Sequence, residues 1–166
     1  MGVIWITGLS GSGKTTLAKK IIEVDKASKW IHLDGDELRK ILNKGTSFDK
    51  ASRISLANQY SKIAKLLADQ NHNVVVSTIS LFNEIHKFNR ENISNYFEVY
   101  IECDIELLRE RDDKNLYSFE KKNDLMGVSI DFDVPIHPNF IVKQNFDSSK
   151  LSKLATSILS ELTWGN

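Results

Sequence analysis

A glycine-rich segment near the start of the sequence carries the first residues whose types and spacing could do chemistry. It follows the pattern G-x-x-x-x-G-K-S/T, directly after an apolar run and before a helical pattern. Glycines let successive backbone N–H groups curl around an anion, and the following helix points its positive end at the same place. A plain glycine turn is the alternative, but the complete pattern favours a nucleoside triphosphate site. The predicted phosphate-binding residues are Gly8, Leu9, Ser10, Gly11, Ser12, Gly13, Lys14, Thr15 and Thr16.

Two residues at the end of this loop would contact the reacting phosphates. The Lys14 ammonium can reach the β- and γ-phosphates, and the Thr15 hydroxyl can ligate Mg²⁺. A GTPase would normally also carry an Asn-Lys-x-Asp guanine motif, and the stretch at 42–45 lacks the aspartate. Motor and transporter ATPases are usually longer chains. The expected ligands are therefore ATP and Mg²⁺, and the expected class is a small-molecule kinase.

Two carboxylates, Asp34 and Asp36, flank Gly35 where the second apolar run ends. A carboxylate in this position can orient or deprotonate an acceptor hydroxyl, or hold a magnesium-bound water. Arg39 would face an anionic acceptor, because its planar guanidinium matches a phosphate. The alternative is an Asp-Gly turn with a helix cap on Asp36, and such a cap could coexist with the function.

Apolar runs of strand length alternate with helical patterns, which predicts βαβ units and a parallel sheet with helices on both faces. Ligands bind such folds outside the carboxyl ends of the strands, where both groups of candidate residues lie. We therefore predict an α/β P-loop NTPase fold of the nucleotide-kinase type, with five parallel strands. The predicted strands are 3–7, 30–33, 74–78, 97–102 and 140–142, and the predicted helices are 14–24, 49–70 and 149–162.

Composition narrows the class of protein further. The 166 residues fit a single domain over 1–166, with 41% hydrophobic and 27% charged residues. The formal net charge of zero gives no basic excess for nucleic acid, and no apolar run is long enough to span a membrane. The N-terminus does not resemble a signal peptide, and the single cysteine, Cys103, suits a reducing cytoplasm. Trp164 could pack in the core or cover a homodimer interface.

The motifs taken together resemble those of adenylyl-sulfate (APS) kinases. The resemblance rests on 7–16, 33–39, Phe48, Arg53, 79–82 and 111–117, in an order and spacing that match from residue 3 to about 140. It implies a cytoplasmic kinase that transfers the γ-phosphoryl group of ATP to the 3′-hydroxyl of a nucleotide acceptor. Lys14, Asp34, Asp36 and Ser80 are the catalytic candidates on this basis.

The resemblance also assigns roles around the acceptor. Asp34 and Asp36 would serve the acceptor hydroxyl and the magnesium shell. Arg39 and Arg53 would grip the acceptor's phosphate, and Phe48 would stack on its base. These roles imply a small-molecule nucleotide as the partner.

A second group of family positions includes a lid at about 114–133. Ile79 and Ser80 belong to an Ile-Ser-x-Phe segment. Ser80 is a candidate for contact with the substrate, since in-line transfer needs only positioning and charge neutralisation and no covalent step. Arg111 and Lys114 would meet the ATP phosphates from the lid. The alternative for Arg111 is a solvated face of a charged helix. Leu125 aligns with a phenylalanine that closes over the acceptor base in the family.

The chain departs from the family pattern on the acceptor side. Leu81 replaces a proline, Asn83 an arginine and Leu56 an asparagine, while Asn115 and Leu125 alter the lid. Groups that could contact the acceptor have become apolar or neutral, while the ATP half is intact. Two interpretations stay open: the acceptor is adenylyl sulfate, or it is another nucleotide, such as the cytidine diphosphoramidate of capsule biosynthesis.

Two other functions are the alternatives to a nucleotide kinase. A nucleotide-binding module without turnover would show a damaged phosphate loop or a missing acid, and the sequence has neither defect. A sugar or shikimate-type kinase has a similar size, but Phe48 with Arg39 and Arg53 suits a nucleotide better than a neutral sugar.

Overall fold

Five parallel strands form the centre of the molecule. The computed structural model describes residues 1–42, 49–110, 131–143 and 148–164. The strands lie in the order β2-β3-β1-β4-β5, and every neighbouring pair is parallel, which confirms the predicted sheet. Their bounds are β1 Val3–Gly8, β2 Trp30–Asp34, β3 Asn73–Thr78, β4 Tyr96–Glu102 and β5 Phe140–Lys143.

Six helices lie in the described part of the chain, and three of them match the predicted helical patterns within one or two residues. Of the other three, α5 lies where the alternative for Arg111 placed a charged helix, and α2 and α4 were not among the predicted helices. Both are short and mostly polar, and in α4 the only apolar residues are Ile85 and Phe88, so the helical period is weak. The bounds are α1 Lys14–Val24, α2 Gly35–Leu42, α3 Lys50–Asp69, α4 Asn83–Asn92, α5 Ile105–Glu110 and α6 Ser148–Ser160.

The sheet carries a hydrophobic core on each face. In β1, Trp5 points into a cluster with residues of α3 and α4, whereas Ile4 and Ile6 point into a cluster with residues of α1 and α6. Alternate side chains of a strand face opposite sides, so a strand covered on both sides is apolar throughout. This arrangement confirms the predicted helices on both faces.

The strand order shows how the acids and the phosphate loop come to the same edge of the sheet. β3 lies between β1 and β2, so the acids at the end of β2 are two strands away from the end of β1. Parallel pairing still brings all three carboxyl ends to one edge: Thr7 pairs with Thr78, and Asp34 pairs with Ser77. The predicted proximity of acids and phosphate loop therefore holds through an intervening strand.

Trp164 packs within its own chain. Its ring meets Phe97 edge-on, with 6.2 Å between ring centroids, in the cluster beneath α1 and α6. This contact agrees with the core interpretation of Trp164. Among the described helices, none has the length and hydropathy needed to cross a bilayer.

Candidate functional site

The phosphate loop joins β1 to α1 with a backbone that glycine permits. Gly11 has φ +75° and Gly13 has φ +94°, both in the left-handed region that other residues rarely adopt. Gly13 is the N-cap of α1, and glycine has no side chain that could cap a helix. No side chain at the N-cap therefore covers this end of α1, and binding of an anion there stays a prediction.

The Lys14 side chain lies inside this loop. It is only 9% exposed, and its Nζ donates to the carbonyl oxygen of Leu9 at 2.6 Å. The Oγ of Ser12, itself buried, lies 3.5 Å from the same Nζ. The ammonium is thus held where a bound phosphate would meet it.

The second half of the site is built on Asp34, the last residue of β2. Its Oδ2 accepts a hydrogen bond from Thr15 Oγ1 at 2.7 Å, which ties the acid to the first turn of α1. Its Oδ1 accepts from the backbone N–H of Asp36 at 2.9 Å. Asp34 therefore caps α2, and the alternative that placed the cap on Asp36 is wrong because Asp36 lies within the first turn.

Asp34 is held as a carboxylate. Burial raises its pKa, but donation from Thr15 and Ser77, with the N–H groups of Asp36 and Glu37, outweighs burial, so its pKa lies below the usual 3.8. A carboxylate with so low a pKa is a weak base. It is better suited to orient a hydroxyl or a cation's water than to remove a proton.

The lowered pKa of Asp34 predicts how stability depends on pH. A carboxyl whose pKa is lower in the folded state stabilises fully above its unfolded value, and this stabilisation is lost as pH falls through the folded value. We expect the free energy of unfolding to fall more between about pH 5 and about pH 2 in the wild type than in Asp34→Asn. Denaturant titrations at each pH would measure the difference, and identical pH dependence in both proteins would contradict it.

Gly35 allows α2 to begin against the end of β3. A Cβ on this residue would lie 2.9 Å from Thr78 Oγ1 and 3.1 Å from the carbonyl oxygen of Ser77. We expect Gly35→Ala to destabilise the fold by about 1–3 kcal/mol, because α2 must move away from β3. Chemical denaturation would measure the loss, and stability equal to that of the wild type would show that α2 can shift at no cost.

Tyr60, in α3, contacts the start of α2 and was not among the predicted site residues. Its hydroxyl donates to the carbonyl oxygen of Gly35 at 3.1 Å, and burial raises its pKa, so it remains a neutral donor. No local sequence signal connects Tyr60 to residues 25 positions away.

Three further acceptor candidates, Ser80, Ile79 and Arg53, lie in the described part of the chain. Ser80 is 5% exposed, and its Oγ lies 3.0 Å from Thr78 Oγ1. Ile79 is partly buried against the core. Arg53 lies half-buried in the first turn of α3. Their contacts with an acceptor stay predictions.

Four predicted site residues and most of the predicted lid lie outside the described residues. At 131–133, the described end of the lid, the backbone N–H of Asp133 donates to the carbonyl oxygen of Leu81 at 3.0 Å. The Asp133 carboxylate accepts from the backbone N–H of Asn83 at 2.9 Å. This end is therefore fixed to the segment between β3 and α4. The four predicted site residues that lie outside the described part of the chain are Phe48, Arg111, Lys114 and Leu125.

Two of the departures from the family pattern lie in the core. Leu56 is 7% exposed and Leu81 is fully buried, both in the cluster beneath α3 and α4. The expectation that these apolar replacements alter direct acceptor contacts is wrong for these two residues, because their side chains pack inward. Asn83 is half-buried at the start of α4.

Thr15 and Asp34 fit a cation that arrives with a triphosphate. Because Thr15 Oγ1 donates its proton to Asp34, its lone pairs remain available as a hard oxygen ligand of the kind that Mg²⁺ prefers. Among the described residues, no group of three or more His, Cys, Asp or Glu side chains could hold a metal.

Comparisons with known proteins agree with this site. Residues 1–143 match the family model of adenylylsulphate kinase. The chain is 48% identical over 138 residues to the cytidine diphosphoramidate kinase of Campylobacter jejuni, covering 80% of this chain and 81% of that protein. It is 35% identical over 142 residues to the adenylyl-sulfate kinase of Deinococcus deserti, covering 82% and 78%.

A solved structure extends the similarity to three dimensions. The Mycobacterium tuberculosis APS kinase in complex with AMPPNP and APS matches with a TM-score of 0.81 and 28% identity, covering 96% of this chain and 95% of that one. The family consists of ATP-dependent phosphotransferases, which supports an enzyme over a binding module without turnover. Sequence, loop geometry and fold agree that this chain is a nucleotide kinase and belongs to the adenylylsulphate kinase family.

Proposed function

We propose that this kinase transfers the γ-phosphoryl group of ATP to the 3′-hydroxyl of a cytidine nucleotide, with cytidine diphosphoramidate as the acceptor. The observation that carries the proposal is the difference in similarity among its relatives. Identity is 48% to the cytidine diphosphoramidate kinase but 35% to the adenylyl-sulfate kinase of Deinococcus deserti, over spans of 138 and 142 residues. The residues predicted to hold the base, Phe48 and Leu125, lie outside the described residues, so the choice of base rests on sequence similarity.

The phosphate loop would bind and orient ATP in this reaction. The first-turn N–H groups of α1 would bind the phosphates, and Lys14 would exchange its contact with the Leu9 carbonyl for phosphate oxygens. Thr15 would ligate Mg²⁺, which supplies charge neutralisation on the phosphates when bound. Asp34 would keep the Thr15 hydroxyl oriented.

The two acids of the acceptor side have different surroundings and would do different work. Both Asp34 oxygens already accept hydrogen bonds from the protein, so Asp34 serves the phosphate loop and α2. Asp36 is exposed in the first turn of α2. We assign Asp36 to the acceptor hydroxyl, and Arg39, one helical turn later, to the acceptor's phosphate.

Adenylyl sulfate is the second candidate acceptor. It is favoured by the Asp34-Gly35-Asp36 segment with Arg39, which follows the APS kinase pattern, and by the fold shared with a kinase solved in complex with APS. The two candidates use the same ATP half and differ only in the acceptor.

Steady-state kinetics with both acceptors would test the proposal. We expect kcat/KM for cytidine diphosphoramidate to exceed that for adenylyl sulfate by at least about 10²-fold, on the scale of discrimination that a few buried contacts give. Cytidine diphosphate and AMP serve as controls for the base without the distinguishing group. A higher kcat/KM for adenylyl sulfate would overturn the cytidine proposal and establish the second candidate.

A further inference from the structure

Ser77 contacts Asp34, and His32 contacts Ser77, but neither residue belongs to the proposed ATP or acceptor contacts. His32 precedes Asp34 by two residues in β2, so both side chains lie on the same face of that strand. Ser77 is the residue of β3 that pairs with Asp34. The three side chains therefore meet at the edge of the sheet that carries the phosphate loop.

The hydrogen bonds among them run in one direction. Ser77 Oγ donates to Asp34 Oδ2 at 3.0 Å, and His32 Nε2 lies 2.9 Å from the same Ser77 oxygen. A hydroxyl has one proton, and here Asp34 accepts it, so His32 must donate from Nε2 to Ser77. An Nε2–H is available in both the charged imidazole and one neutral tautomer, so the arrangement does not depend on the charge of His32.

The chain of hydrogen bonds ends at the phosphate loop. Asp34 Oδ2 accepts from Ser77 on one side and from Thr15 Oγ1 on the other, at 3.0 Å and 2.7 Å. Without the His32 donor, the Ser77 hydroxyl is free to rotate, and one of the two donors that fix Oδ2 is lost part of the time. The orientation of the Thr15 hydroxyl then depends on a carboxylate that is less well fixed.

We propose that His32 and Ser77 are positioning residues for the cation of the bound triphosphate: they fix Asp34 Oδ2, which in turn directs the lone pairs of Thr15 toward Mg²⁺. This inference rests on the proposed function only in requiring Mg-ATP as a ligand. In proteins generally, mutation of a residue that orients a metal ligand through a hydrogen bond lowers metal affinity or activity by about 10–100-fold.

A purely structural role is the competing explanation. His32 and Ser77 would then serve only to hold β2 against β3. These strands already pair from Trp30 to Asp34 and from Asn73 to Ser77, so the side-chain contact adds little to their pairing. A structural role predicts a loss of stability with no change in the dependence of ATP binding on Mg²⁺.

Calorimetric titration of ATP, with Mg²⁺ and with EDTA, separates the two roles. We expect the ratio of ATP affinity with Mg²⁺ to ATP affinity with EDTA to fall about tenfold in Ser77→Ala and in His32→Leu, with metal-free affinity close to wild type. His32→Gln should restore most of the ratio, because its amide N–H can replace Nε2–H. His72→Leu, at an exposed histidine before β3, is the matched control and should keep the wild-type ratio.

Steady-state kinetics with Mg-ATP should show that the loss falls on turnover and not on binding of the acceptor. We expect kcat to fall about tenfold in Ser77→Ala and His32→Leu while the KM for the acceptor stays nearly constant. The double variant should lose little more than either single variant, since both act through one hydroxyl.

An unchanged affinity ratio in Ser77→Ala and His32→Leu would overturn the proposal. So would an equal loss of ATP affinity with and without Mg²⁺, which would indicate a structural role. If Ser77→Ala does not fold, the comparison of His32→Leu with His32→Gln decides. The titration contains no acceptor, so a failure to phosphorylate cytidine diphosphoramidate would overturn the proposed function and leave this test intact.

Discussion

Lys14→Ala is expected to reduce phosphoryl transfer by at least about 10²–10³-fold, the loss typical of removing a preorganised group that stabilises charge in the transition state. The Lys14 ammonium is 9% exposed and held 2.6 Å from the Leu9 carbonyl oxygen, inside the loop that would surround the phosphates. The alanine side chain cannot replace its charge there. Coupled detection of ADP together with the phosphorylated nucleotide would measure the loss.

Lys20→Ala is the matched control for this variant. Lys20 lies on the same helix, α1, but forms an exposed ion pair with Glu23 at 2.7 Å. Exposed pairs of this kind contribute little, so the control should keep nearly full activity and stability. Activity in Lys14→Ala within a few-fold of the control would contradict the role given to the phosphate loop.

Asp34→Asn is expected to lower kcat by about 10²-fold, at the upper end of the losses seen when a partner of a metal ligand is removed. The amide keeps one acceptor oxygen, but its NH₂ group must face either the Thr15 and Ser77 hydroxyls or the N–H of Asp36, all of which now donate to the carboxylate. Metal-free ATP affinity should change little, because Lys14 and the loop amides remain.

Asp69→Asn provides the control for the lost charge. Asp69 is exposed at the end of α3, where it pairs with Lys65 away from the described site. Its replacement should leave kcat and the unfolding temperature near the wild-type values. Wild-type kcat in Asp34→Asn would remove this carboxylate from the catalytic site.

The phosphate loop could be predicted from the sequence because its requirements are local. The left-handed conformations of Gly11 and Gly13 demand glycine, and the N-terminus of α1 follows within the same segment. The strands were predictable for a similar reason, since runs such as 74–76 are apolar on both faces, as expected of a strand that is buried on both sides.

Long-range features of the site could not be predicted in the same way. The insertion of β3 between β1 and β2 is a property of the chain's path through the sheet, and no residue of either strand signals it. The contact of His32 with Ser77 joins residues 45 positions apart, and that of Tyr60 with Gly35 joins residues 25 apart. Each depends on register between elements, which periodicity within an element does not determine.

The sequence also does not determine whether a side chain near a motif points into the site or into the core. A mismatch with the family pattern at Leu56 and Leu81 suggested an altered acceptor contact, but both residues are in the core. An apolar residue near a motif can pack behind the site as readily as line it, and only the packing of α3 and α4 on the sheet distinguishes the two cases.

Transfer of a labelled γ-phosphate tests the central claim most directly. The wild-type protein would be mixed with γ-³²P-ATP, Mg²⁺ and, in separate reactions, cytidine diphosphoramidate or adenylyl sulfate. Chromatography would show whether the label reaches the nucleotide, and mass spectrometry with phosphorus NMR of a parallel unlabelled reaction would locate the new phosphate. We expect the phosphate on the 3′-hydroxyl of the nucleotide in the wild type and almost none in Asp34→Asn. Release of the label only as inorganic phosphate, with neither cytidine diphosphoramidate nor adenylyl sulfate phosphorylated, would contradict the account.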